Sequence, residues 1–155
     1  MSNRNITFRT RLRMVKCYIL STLLYGSELL WTVTKNMKHR IEAVEMWMLR
    51  RMLKIGYTEH KTNAEVLRMA GTERQLFRKI QSTQLQYFGH VARHDTLQRV
   101  ILTGKMNGKR GRGRPRRRWT DNIKRWSGTE EVFREAQKRA GWRAVAANPR
   151  REDDT

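Results

Sequence analysis

The sequence predicts an all-α fold, an irregular bundle of about five to seven helices with a disordered basic linker. Three observations predict it. Apolar residues recur at steps of three and four, while the alternation expected of strands is scarce. The chain has only two prolines, at 115 and 149, so long stretches lack the strongest helix breaker. Residues 105–118 carry three glycines, one proline, a single apolar residue and no acid, a composition that cannot bury surface.

The elements follow in order. From Thr10 to about Tyr25, Leu12, Val15, Ile19, Leu20 and Leu23 fall on one broad helical face, and Gly26 stops the helix. Cys17 lies within this apolar helix and reads as a buried free thiol. From about Lys35 to Ile55, Met37, Ile41, Val44, Met48, Met52 and Ile55 recur at helical steps, with Lys38, Arg40, Arg50 and Lys54 opposite. Thr62 and Glu65 have the spacing of a capping box, and Gly71 ends that short helix. Thr72 and Gln75 form a second such box, opening a longer helix to about Val91 with Phe77, Ile80, Tyr87, Phe88 and Val91 as its apolar positions. Asp95 is placed to cap a short helix through Leu102. Trp119, Ile123 and Trp126 mark an amphipathic helix after the linker. Thr129 then caps a last helix carrying Val132, Phe133, Ala136, Trp142 and Val145. The partition by composition is therefore 1–104 helical, 105–118 basic linker, 119–147 a small helical extension and 148–155 a disordered tail. Each helix is too polar to stand alone, so the Met and Trp side chains on these stripes are expected to pack.

Charge narrows the function. The 155 residues hold 34 Lys+Arg against 14 Asp+Glu, a formal net charge of +20. Residues 1–104 have a balance of +11, residues 105–118 of +8 and residues 119–155 of +1. The one cysteine excludes a disulfide framework and a cysteine-built zinc site. The longest nearly apolar run, residues 17–25, falls far short of the roughly 20 residues needed to span a bilayer, so no membrane role is expected. The first residues show no signal-peptide pattern. An intracellular partner of a polyanion is expected.

The linker holds Lys105, Lys109, Arg110, Arg112, Gly113, Arg114, Pro115, Arg116, Arg117 and Arg118. Its Arg-Gly-Arg-Pro-Arg core at 112–116 matches an AT-hook. Pro115 biases Arg114 toward an extended backbone, and Gly113 lets the chain approach a narrow groove floor. The arginines can then enter the minor groove where its potential is most negative. Nonspecific nucleic-acid contact, a nuclear localisation signal and an A·T preference are all consistent with this stretch, and more than one can hold. Arg50, Arg51 and Lys54, with Arg40 further up the helix, form either a solvated face or a phosphate-tracking surface. Trp119 follows the basic run as a packing anchor or a base-stacking ring. His90 and His94 are four apart, but zinc needs three or four ligands, so no metal is expected, and no cofactor either.

Several blocks are recognisable together. Leu24-Tyr25-Gly26-Ser27-Glu28, Trp31-Thr32, the stretches 40–47 and 50–55, Tyr87-Phe88-Gly89-His90-Val91-Ala92-Arg93, the run from Gly104 to Trp119, and Gly141-Trp142-Arg143-Ala144-Val145 come in family order. The chain resembles, from about Thr10 to Ala147, the C-terminal region of the endonuclease–reverse transcriptase of non-LTR retrotransposons, close to the RTE/BovB type. Ser27 stands where that family usually has Cys, the loop to Trp31 is one residue longer, and a proline near Ser21 is missing. The resemblance implies a thumb-like helical region over 1–104, a basic extension, and a segment lying after the polymerase palm. It implies no catalysis here: the palm aspartates are absent, and the one Asp-Asp pair, Asp153 and Asp154, lies in the charged tail. The expected function is noncatalytic nucleic-acid binding, with template RNA, an RNA–DNA hybrid or target DNA as partner, and the missing polymerase body as a second one. The expected location is nuclear, or else cytoplasmic. The alternatives are a chromatin-associated AT-hook-like protein and an inert structural fragment of the polymerase.

Overall fold

The computed structural model describes residues 6–103, 112–113 and 117–150. Within them the fold is all-α, with no strand. The helices are α1 (Phe8–Met14), a π-helical stretch (Val15–Ile19), α2 (Leu20–Leu24), α3 (Ser27–Leu30), α4 (Lys35–Leu53), a single 3₁₀ turn (Tyr57–Glu59), α5 (Asn63–Ala70), α6 (Leu76–Arg93), α7 (Leu97–Thr103), α8 (Trp119–Ser127), α9 (Val132–Gln137) and α10 (Arg139–Ala147). By contact they group into two compact units. One takes in the chain up to Ser27 together with Thr34–Lys79; the other takes in Glu28–Val33 and the chain from Ile80 onward.

In the first unit α4 is the central element. Thr34 caps it by accepting from the Met37 N–H at 3.2 Å. Ile41, Met46, Met48, Leu49 and Met52 are buried along one side, where α1 and α5 pack. Arg11 donates from Nη1 to the Met52 carbonyl at 2.5 Å, satisfying one of the acceptors that a helix end leaves open. α4 stops at Lys54, which adopts a left-handed conformation at φ 59°. The Thr62–Glu65 capping box forms as expected, with both backbone N–H groups satisfied, and Gly71 ends α5 at φ +61°.

Several details differ from the sequence expectations, among them that Thr96 and Glu131, not Asp95 and Thr129, precede α7 and α9. Cys17 is exposed, because Val15 is the residue of that helix turned inward and a position two residues on faces the other way. Val44 is 42% exposed, since the buried sector of α4 is centred toward Leu49 rather than Val44. Thr72 and Gln75 do not cap α6: a side chain from α4, Glu45, accepts the Gln75 and Leu76 N–H groups through Oε1 at 2.8 and 3.1 Å. The last helix is two, α9 and α10, meeting at Lys138.

The second unit is built round an aromatic cluster. Phe88 of α6 lies 6.0 Å from Trp119, 5.0 Å from Phe133 and 5.4 Å from Trp142, centroid to centroid. Trp142 is 3% exposed and donates Nε1–H to the Leu85 carbonyl at 2.7 Å. Arg93 and Gln137 exchange α6 and α9 contacts, donating to the Ala136 and Ala92 carbonyls, both at 2.9 Å. Trp119 thus packs, with Tyr87 edge-on at 6.3 Å as its second ring contact. No helix among the described residues is long and apolar enough to cross a membrane.

Candidate nucleic-acid interface

Helical spacing assembles the candidate surface. On α4, Arg40, Val44, Trp47 and Arg51 follow at steps of four, three and four, so they share one face. That face is the side opposite the buried methionines. Arg40, Arg51 and Lys54 are exposed, and their side chains meet no partner among the described residues. Trp47 stands among them at 61% exposure.

Some cations elsewhere are paired. Arg74 pairs with Glu42, Arg99 with Asp95, Lys124 with Glu130, Arg134 with Glu131 and Lys138 with Glu135. Each such exposed pair contributes little to stability, but it neutralises the local potential. The outward face of α4 keeps its positive potential.

The predicted basic residues divide between two roles. Arg50 is not on the outward face. Its guanidinium donates to the Lys61 carbonyl at 2.9 Å and to Asn63 Oδ1 at 2.7 Å, tying α4 to the segment before α5. Arg51 and Lys54 are exposed and meet no side-chain partner among the described residues. Of the linker, Lys105, Lys109, Arg110, Arg114, Pro115 and Arg116 lie outside the described residues. Arg112 is exposed, and Gly113 sits at φ +118° with nothing within 4 Å of where a Cβ would stand. Glycine is needed there for its backbone angle. Arg117 is half-buried, and the Arg118 N–H is accepted by Asp121 Oδ2 at 2.7 Å, which starts α8.

The aromatic members of the surface were not found by reading the sequence. Beside Trp47, Tyr57 is 97% exposed and its ring lies 6.3 Å from that of His60. The signal was present for Trp47: it falls off the apolar stripe of α4 and on the basic one. Tyr57 carried none. His90 and His94 lie with their rings 4.6 Å apart and tilted by 51°, both exposed, and no group of three or more metal-ligating side chains occurs among the described residues.

No family model matches the chain, and no solved structure matches it. It is 28% identical over 151 residues to an uncharacterized transposon-derived protein of Caenorhabditis elegans, an alignment that covers 88% of this chain and 54% of that protein. The chain spans about half the length of the curated relative it matches. It is similar, therefore, to a transposon-derived protein.

Proposed function

We propose that this chain is a noncatalytic nucleic-acid-binding segment of a retrotransposon reverse transcriptase of the non-LTR class. It contacts RNA or DNA phosphates through basic side chains. The observation that carries the reading is a cluster of open cations: in a chain of net charge +20, Arg40 and Arg51 share the exposed face of α4 with Lys54 at its end, and the three side chains meet no partner among the described residues. Residues 105–118 add eight basic side chains and no acid. The family blocks and the similarity to a transposon-derived protein support the assignment to a mobile element. Polymerisation is assigned to a part of the parent protein that holds the aspartates this chain lacks.

Counterion release sets the test. If about five or six linker cations neutralise phosphates, log affinity for duplex DNA falls with log salt at a slope near ~−5, at roughly −0.9 per contact. Replacing Arg112, Arg114 and Arg116 by Ala flattens the slope by about two to three and leaves the helical content unchanged. Parallel lines of equal affinity would remove the linker from the interface and leave the α4 face. An A·T preference lost in the triple variant would favour the chromatin reading. Absence of binding at physiological salt would favour an inert fragment.

A further inference from the structure

A groove of about 610 Å³ opens at the C-terminal end of α4, lined among others by Trp47, Arg51, Ile55, Tyr57, His60 and Lys61. We propose that it is a stacking site for unpaired bases, so that this surface holds single-stranded nucleic acid and not only the phosphates of a duplex. The proposal rests on the nucleic-acid reading above and deepens it.

Three independent features point there. First, the two large aromatic side chains of the groove are left in solvent: Trp47 is 61% exposed and Tyr57 97%. Rings of this size bury readily when packing is their role, as Trp126 and Trp142 do in the same chain. An exposed ring in a concave wall offers a flat face to another ring. Second, the wall is stiff. Arg50 clamps it through the Lys61 carbonyl and Asn63, the Gly56 N–H is held by Glu59 Oε1 at 2.8 Å, and Glu59 pairs with Lys61 at 2.6 Å. Third, Lys54 at φ 59° is accounted for as the cap of α4, but His60 at φ 43° is a second non-glycine residue with positive φ among the described residues, just after the turn that carries Tyr57. Strained backbone of this kind persists where surrounding structure enforces it, and it gathers at binding sites.

The chemistry selects the occupant. The volume falls within the ~300–1,000 Å³ of clefts that hold small planar ligands. Arg51 has no partner among the described residues and supplies a cation beside the rings. The Glu59 carboxylate is neutralised by Lys61, so it does not repel a phosphate strongly. Aromatic faces beside a free guanidinium suit a base and its phosphate, and stacking needs a base whose face is open, which a paired duplex does not offer. The sequence-tolerant character of stacking implies little base preference.

The test uses the full chain and fluorescence anisotropy with a labelled oligothymidylate of about 10 nucleotides and a mixed duplex of the same length. Trp47→Ala and Tyr57→Ala are each expected to weaken single-strand binding on the order of tenfold, within the roughly 5- to 150-fold that loss of one stacked base implies. Duplex affinity should stay within about twofold, and the salt slope on the single strand should not change, because stacking releases no counterions. Trp47→Phe and Tyr57→Phe should restore most of the affinity, and Trp47→Phe should reduce the quenching of tryptophan emission on binding. Equal losses on both nucleic acids, or no loss on the single strand, would overturn the stacking site while leaving the nucleic-acid reading intact. Wild-type protein that binds neither would overturn both. Circular dichroism controls for folding; should Trp47→Ala unfold, the Tyr57 variants decide alone, since that ring is almost wholly in solvent.

Discussion

Gly89 is a residue at which even one added methyl is costly. It lies in α6 against the indole of Trp142, and a Cβ built on it would stand 2.3 Å from Cδ1 and 2.4 Å from Nε1 of that ring. The ring has nowhere to go. It is 3% exposed, packed 5.4 Å from Phe88, and pinned by its bond to the Leu85 carbonyl. Gly89→Ala therefore adds an overpacking cost of about 1–3 kcal/mol. Displacing the indole also forfeits its buried hydrogen bond and leaves the Nε1–H without an acceptor, about 1–3 kcal/mol more. Against this, Ala improves a helix interior by roughly 0.5–1 kcal/mol. The net loss is about 1–5 kcal/mol, centred near 3. For a cooperative unit of roughly 60–100 residues, each kcal/mol moves Tm by about 4–8 °C, so the shift is on the order of 10 °C or more. Thermal melts followed by near-UV circular dichroism, which sees the aromatic cluster directly, measure it. Gly141→Ala is the matched control: it is also in a helix, but nothing lies within 4 Å of its added methyl, so it should gain the ~0.5–1 kcal/mol without the cost. If the two variants melt together, the close approach of α6 to Trp142 is not what limits residue 89.

Glu45→Ala should release the Gln75 and Leu76 N–H groups, costing about 1–2 kcal/mol and speeding amide exchange at the first turn of α6 while α4 stays protected; unchanged exchange there would show that the turn is held by something else. Glu65 is held below the usual glutamate range by the Thr62 N–H and then the Thr62 hydroxyl. Its folded value is depressed, so its contribution to α5 is full above about pH 4.3 and is lost as pH falls through that lower folded value. Glu65→Gln should remove this part of the acid sensitivity, read from amide exchange in α5 against pH. Arg50→Lys should weaken the hold on the 57–63 segment nearly as much as Arg50→Ala, because one ammonium cannot reproduce a fork that reaches Lys61 and Asn63 together; rescue by Lys would refute the fork.

The all-α class, the α4 stripe through Ile41, Met48 and Met52, and the Thr62 box were legible because each depends on local spacing. What was not legible depends on the neighbour. Thr72 and Gln75 had the spacing of a box, yet Glu45 took the amides, a competition settled by packing that no local window contains. Cys17 and Val44 sit at the edges of apolar faces, where a rotation of one helix decides burial. At the candidate site, the basic residues could be named from composition, but Arg50 and Arg51 are adjacent in sequence and opposite in role: one is a brace and the other an open cation. Trp47 was visible only after its face was known, and Tyr57 only through the turn that leaves it outside.

The cap that Glu45 supplies has an order in time. The acceptor lies 30 residues before the amide it satisfies, so in vectorial synthesis it leaves the ribosome first. At about 5–20 residues per second, the interval before Gln75 emerges is on the order of seconds. A helix relaxes in about a microsecond. α4 thus has time to form and present its carboxylate before the first turn of α6 exists, and the newly made helix meets a cap already in place. In a circular permutant that delivers α6 ahead of α4, the same sequence would emerge with its leading amides open to water.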